Sequence, residues 1–152
     1  MILTIGYQRL SPERLREIIT RLDARLIDCR NVPMSRRPGF SGRRLGELLG
    51  ERYVQAGHFL GGRGHTTAEG IRWLRSQSGN VVLMCMEEAP GDCHRHFDIC
   101  GPQFPEAVHI YQDELFTARA LQQAEDDDSD YEIIGSLTEL LENPETARNL
   151  LA

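Results

Sequence analysis

Val81-Val82-Leu83-Met84-Cys85-Met86 is an unbroken apolar run that ends on the paired carboxylates Glu87-Glu88. Its length, its β-branched start and the turn signal Pro90-Gly91 beyond it read as a buried strand of a mainly parallel sheet. Upstream, Ala68, Ile71 and Leu74 recur every third residue beside Trp73, so a helix leads into the strand. Downstream, Asp92 is placed to cap a helix whose first turn carries Cys93-His94-Arg95, and Ala107-Val108-His109-Ile110 reads as the last strand. The same alternation runs back to the amino terminus. Met1-Ile2-Leu3-Thr4-Ile5, ended by Gly6-Tyr7, reads as a central strand, and Ser11-Pro12 caps a helix with Leu15, Ile18, Ile19 and Leu22 on one face. A second strand at 25–30 enters a loop with two prolines and two glycines, followed by a helix at 43–50 and strand-like Tyr53-Val54. The expected class is α/β: three layers, a mainly parallel sheet flanked by helices, and an acidic, mostly helical C-terminal tail.

Charge divides the 152 residues at position 111. The whole chain has 17 arginines, no lysine and a net charge of −6. Residues 1–111 hold 15 arginines against 12 carboxylates, whereas residues 112–152 hold 2 against 11. The expected organisation is therefore an α/β domain at 1–111 and an acidic extension at 112–152. Within that extension, Leu115 to Ala124 reads as a helix, 125–130 as a solvated acidic run, and 137–151 as one or two short helices split around Asn143-Pro144. No apolar run approaches the ~20 residues of a membrane span, and no signal-like leader is present, so no membrane partner is expected. Four cysteines without a dense spacing pattern read as free thiols in a reducing cytoplasm.

In open parallel sheets ligands bind outside the carboxyl ends of the strands. Three strand ends carry polar groups here: Gly6-Tyr7, Asp28 with Arg30, and Cys85 with Glu87 and Glu88. The loop after the second strand adds Ser35, Arg36 and Arg37, and Arg95 lies near an expected helix amino terminus. Such a cationic site with embedded carboxylates fits an anionic substrate, and arginine forks next to Phe40 and Tyr7 fit a nucleotide or nucleic acid.

The elements Thr4-Ile5-Gly6-Tyr7, Ile27-Asp28-Cys29-Arg30, Pro33-Met34-Ser35-Arg36-Arg37, Phe40-Ser41, Leu60-Gly61-Gly62, Leu83-Met84-Cys85-Met86-Glu87 and Cys93-His94-Arg95, in this order, resemble the DUF488 family across roughly residues 4–110. The resemblance implies a small α/β protein of the bacterial or archaeal cytoplasm with one site built from these motifs, and no assigned activity. Cys29 departs from the valine usual at that place, and the segment after Cys93-His94-Arg95 is shorter.

The leading expectation is an enzyme, a hydrolase or glycosyl transferase, acting on a phosphate-bearing small molecule or nucleic acid. Glu87 would supply carboxylate chemistry, its pKa raised by partial burial, while Glu88 points to solvent. Asp28, among arginines, would orient a substrate hydroxyl or an arginine rather than move a proton. Tyr7 would help orient sugar or base. Arg30, Arg36, Arg37 and Arg95 would hold phosphates, and Gly61 and Gly62 would let the backbone approach the ligand. Two other classes compete. Cys85, Cys93 and His94 offer thiol or metal chemistry, with a fourth ligand sought from His58, His65 or His96. The basic domain would alternatively be a non-enzymatic nucleic-acid-binding module controlled by its acidic tail. The sequence assigns no metal or cofactor and leaves the oligomeric state open.

Overall fold

The computed structural model describes residues 1–143 and Glu145. The run at 80–85 is the middle one of five parallel strands. The strands are β1 (Ile2–Gly6), β2 (Ala24–Asp28), β3 (Tyr53–Gln55), β4 (Asn80–Cys85), β5 (Val108–Tyr111), β6 (Glu114–Thr117) and β7 (Gly135–Ser136). They form one sheet in the order β3-β2-β4-β1-β5-β6-β7, parallel from β3 to β5, with β6 and β7 added antiparallel to their neighbours. Because β4 is flanked on both sides by parallel partners, it needs apolar residues on both faces, and Val81 to Cys85 are all buried.

Alternation along the strands divides the core in two. Leu3, Ile5, Leu26, Val82 and Met84 pack on one face against α1 (Pro12–Arg21), α2 (Gly42–Leu49) and, from the C-terminal segment, α7 (Leu137–Glu142). Ile27, Val81 and Leu83 pack on the other against α3 (Gly57–Leu60), α4 (Ala68–Arg75), a π-helical segment Arg95–Cys100 continued by α5 (Gly101–Gln103), and α6 (Ala118–Asp127). The result is the three-layer α/β fold the sequence leads one to expect. Helix starts follow side-chain chemistry. The hydroxyls of Ser11, Ser41, Thr67, Thr117 and Ser136 each accept the amide of the third residue on, a bond worth about 1 kcal/mol per cap.

Three local readings are corrected. β2 ends at Asp28, so Cys29 and Arg30 already belong to the loop. Leu115 to Thr117 are strand rather than helix: Gln112 turns the chain at φ +56°, Leu115 pairs with Ile110, and α6 starts only at the Thr117 cap. Cys93 is not in the first turn of a helix. Pro90–Asp92 makes a short 3₁₀ turn, Cys93 is extended, and helical backbone begins only at His94, ahead of the π-helical segment from Arg95.

The boundary expected at residue 111 coincides with the β5–β6 turn, and the chain beyond it shares the sheet and the core. Leu115, Leu137, Leu140 and Leu141 are buried in the first cluster with Ile5 and Ile110. Of the expected C-terminal helices, the first is α7, and the part of that reading at 146–151 lies outside the described residues. No helix among the described residues is long and apolar enough to cross a membrane.

Candidate functional site

Register brings the strand ends level. Gly6 lies opposite Cys85, and Asp28 opposite Met84. The chain leaving β4 then crosses directly over the end of β1, where a Cβ on Gly6 would meet the Glu87 carbonyl oxygen at 1.8 Å. Only glycine permits that crossing. Arg95 pins it from below, fully buried, donating Nη1 to the Glu87 carbonyl (2.7 Å), Nη2 to the Glu88 carbonyl (3.0 Å) and Nε to Thr4 Oγ1 (3.1 Å). Each of the three guanidinium nitrogens thereby donates inside the fold, and with no exposed surface Arg95 braces the loop instead of facing a ligand.

Asp28 and Arg30 are spent in the same way. Arg30 donates Nε to Oδ1 (2.8 Å) and Nη2 to Oδ2 (2.6 Å), and the Tyr53 hydroxyl donates to Oδ2 (2.6 Å). The Arg30 amide adds a bond to Oδ1 (3.1 Å), which saturates a carboxylate that has no exposed surface. Asp28 thus orients an arginine and not a substrate hydroxyl. Arg30 reaches on through Nη1 to the Phe40 carbonyl (2.6 Å) and stands 5.1 Å over the Tyr7 ring. Burial and the bond to Asp28 both push the Tyr53 phenol up, so it remains a donor at any ordinary pH.

Above this pair lies a cleft of about 630 Å³ lined by Tyr7, Gln8, Met34, Ser35, Arg36, Arg37 and Met86. Tyr7 is stacked on Phe40 at 4.7 Å, which fixes the floor. Arg37 donates to the carbonyls of Tyr7 (3.1 Å), Gln8 and Leu10 (2.5 Å) and so ties the 31–41 loop to the turn after β1. Ser35 Oγ accepts the Arg37 amide at 3.0 Å. Arg36 is different: it is exposed, lines the cleft, and has no hydrogen bond or ion pair among the described residues. Of the four arginines expected to hold phosphate, Arg36 is the one whose fork is uncommitted.

Glu87 and Glu88 are both partly buried, contrary to the expectation that Glu88 points to solvent. Glu88 is ion-paired with Arg9 at 3.0 Å. The Glu87 charge acts on Cys85, on the opposite face of β4 from Met84 and the first core cluster. Side-chain alternation thus separates two groups of expected site residues. Tyr7, Ser35, Arg36 and Arg37 meet in the cleft, whereas Cys85, Cys93 and His94 meet behind it.

The second group is a buried cluster. The sulfurs of Cys85 and Cys93 each lie 3.7 Å from His94 Nδ1, and the three atoms are mutually within 4.8 Å. His94 Nε2 donates to the Leu60 carbonyl at 3.1 Å, which turns Nδ1 toward the sulfurs. The Cys85 hydrogen bond, His94 and the Arg95 charge push the Cys93 thiol down despite burial, while the bond to Cys93 and burial push Cys85 up. Burial works against a charged His94, but its contacts with Cys93 outweigh that and raise its pKa. Cys93 is therefore the more acidic of the two thiols, and its contact with His94 favours the protonated imidazole. Burial raises the other two thiols, Cys100 to about 12, and Cys29 lies well above its ordinary value. They are core residues.

Gly61 and Gly62 serve this cluster's walls. A Cβ at Gly61 would strike Asn31 Oδ1 at 1.8 Å, and one at Gly62 would press on the His94 ring at 3.2 Å. Their close approach is to protein, not to ligand. The fourth ligand sought among the other histidines is absent from the group: His58 stacks on Phe59, His65 Nδ1 meets Asn31, and His96 faces His109.

A buried polar chain was missed in the sequence reading. Arg95 donates to Thr4 Oγ1, which shares a hydrogen bond with His109 Nδ1 (2.7 Å), and His109 Nε2 shares another with His96 Nδ1 (2.9 Å). Among the described residues His96 Nε2 has no hydrogen-bond partner, and it stands 3.8 Å from Glu125 Oε2. The available signal was His109 itself, a polar side chain in an otherwise apolar strand.

No family model, curated protein or solved structure matches the chain.

Proposed function

We propose that the protein is an enzyme of the DUF488 type acting on a phosphate-bearing substrate, a nucleotide or nucleic acid, held in the cleft above β1 and β4. The observation that carries this reading is the uncommitted guanidinium of Arg36 on a cleft whose other arginine, Arg37, is tied to backbone carbonyls. A planar fork facing solvent from a braced loop suits bidentate phosphate recognition. Tyr7, Met34 and Met86 supply apolar walls against which a base or sugar can lie. Glu87 does not line the cleft but follows its residue Met86 directly, and unlike Glu88 it has no ion pair among the described residues, which makes it the carboxylate nearest in sequence for glycosidic-bond hydrolysis or transfer. Four free thiols support a reducing, cytoplasmic setting.

Calorimetric titration of the full chain with nucleoside mono- and diphosphates tests the reading. Arg36→Ala should weaken binding by roughly 10–100-fold, the worth of a charge-assisted bond of about 1.5–3 kcal/mol. Glu87→Gln should keep binding and lose turnover. Equal affinities of wild type and Arg36→Ala would overturn the assignment of the cleft.

A further inference from the structure

We propose that Cys85, Cys93 and His94 form a binding site for a single zinc-class divalent ion, with three protein ligands and one open position. The inference does not rest on the phosphate reading, because the cluster and the cleft share no residue.

The geometry is that of ligands already spaced around a metal. Zinc–sulfur bonds of about 2.3 Å and zinc–nitrogen bonds of about 2.0–2.1 Å at tetrahedral angles put sulfur and nitrogen about 3.6 Å apart. Both sulfur-to-Nδ1 distances here are 3.7 Å. The donor set also fits. Two thiolates and an imidazole suit a borderline-soft ion and disfavour magnesium or calcium, which take oxygen. His94 has the outer contact that metal-bound histidines have, its second ring nitrogen donating to a carbonyl, here that of Leu60 at 3.1 Å. Gly62 leaves the ring room, since a Cβ there would stand 3.2 Å from Nδ1.

No fourth histidine, cysteine or carboxylate joins the group among the described residues. Three protein ligands with a vacant coordination position characterise catalytic rather than structural zinc sites, where water or a substrate atom takes the fourth place. Binding is an exchange of protons for metal. The ion enters, whatever protons the two sulfurs and Nδ1 carry leave to solvent, and the two thiolate charges neutralise the cation, with no change of oxidation state.

The test uses untagged full-length protein kept reduced, with cobalt(II) as the spectroscopic probe and zinc as competitor. Thiolate-to-cobalt charge-transfer absorption should appear and saturate at one equivalent, together with the intense visible bands of tetrahedral cobalt, and zinc should abolish both. Cys93→Ser and His94→Ala should each weaken binding at least about 10-fold. Cys100→Ser, which removes a buried thiol outside the cluster, should not. Circular dichroism reports whether each variant is folded, and the wild-type titration decides the matter even if one is not. Folded, reduced wild type without the charge-transfer absorption overturns the proposal, as does its full retention in Cys93→Ser. Loss of nucleotide binding in Arg36→Ala leaves the cobalt result unchanged, so the two readings fail separately.

Discussion

Arg30 grips Asp28 fork to fork, Nε to Oδ1 at 2.8 Å and Nη2 to Oδ2 at 2.6 Å, with the carboxylate wholly buried and the guanidinium 6% exposed. The pair stands between the end of β2 and the loop that carries the cleft, because Arg30 also holds the Phe40 carbonyl. Breaking it by Asp28→Asn leaves a buried charge without its partner, which costs about 3–5 kcal/mol. Urea denaturation should show that loss in the midpoint with little change in slope. A change below about 1 kcal/mol would mean that the pair does not brace the loop.

Arg36 and Arg37 are adjacent and chemically identical, yet their roles differ. Arg37→Ala removes three charge-assisted bonds to the carbonyls of Tyr7, Gln8 and Leu10 and should destabilise the fold by about 1.5–3 kcal/mol. Arg36→Ala removes no bond within the fold and should change stability by no more than about 0.5 kcal/mol. Thermal melts of the two variants check this directly. Equal losses would place Arg36 in the scaffold and remove it from the candidate site.

Burial of His96 and His109 gives stability a dependence on pH whose sign follows from desolvation. Burial pushes both below their ordinary value near 6.5, His109 well below it, helped by the neighbouring His96 and Arg95 charges. Glu125 faces the pair from α6 at 3.8 Å and works the other way on His96. The unfolded chain therefore binds more protons than the folded one below about pH 6.5. Stability is fully present above that pH and falls as pH drops through it, by up to about 1.4 kcal/mol per pH unit for each histidine. Urea midpoints measured from pH 7.5 down to pH 5 should fall in wild type and fall less in His109→Gln. Because the raised His94 works in the opposite sense, the difference between the two proteins is decisive, and identical profiles of wild type and His109→Gln would count against the buried neutral pair.

The acidic segment contributes to the core through α7. Leu140 is 2% exposed in the cluster that includes Ile5 and Ile110, so Leu140→Ala should cost about 2–5 kcal/mol. Ending the chain after residue 111 removes β6, β7 and α7 and should abolish cooperative unfolding. For that reason a truncation at 111 cannot report on nucleic-acid access to an otherwise intact domain. Retention of the wild-type melting transition by such a fragment would show that the 1–111 segment is sufficient.

Sequence alone determined the class of fold and most of its elements. Periodicity and punctuation are local signals, and Val81–Met86, Ser11-Pro12 and the two-proline loop at 31–42 carry them without help from the rest of the chain. The strand from Leu115 to Thr117 was not legible, because its apolar residues suit a helix equally well and only pairing with Ile110 and Val108 decides the matter. The candidate site divides in the same way. Motif positions named the residue types, and they converge on the strand ends as expected. What each does depends on which partners the fold places within bonding distance. Arg30, Arg37 and Arg95 look in sequence like phosphate ligands. Their donors go instead to Asp28 and to backbone carbonyls brought from up to 30 residues away along the chain. Arg36 remains open because no acceptor among the described residues is folded against it. Cys85 and Cys93, eight positions apart with no recognisable spacing, become one cluster with His94 because Arg95 folds the loop after β4 back over β1. A guanidinium satisfied inside the fold and one facing solvent are the same letter in the sequence; only tertiary packing, which determines where each hydrogen-bond donor finds its acceptor, distinguishes scaffold from site.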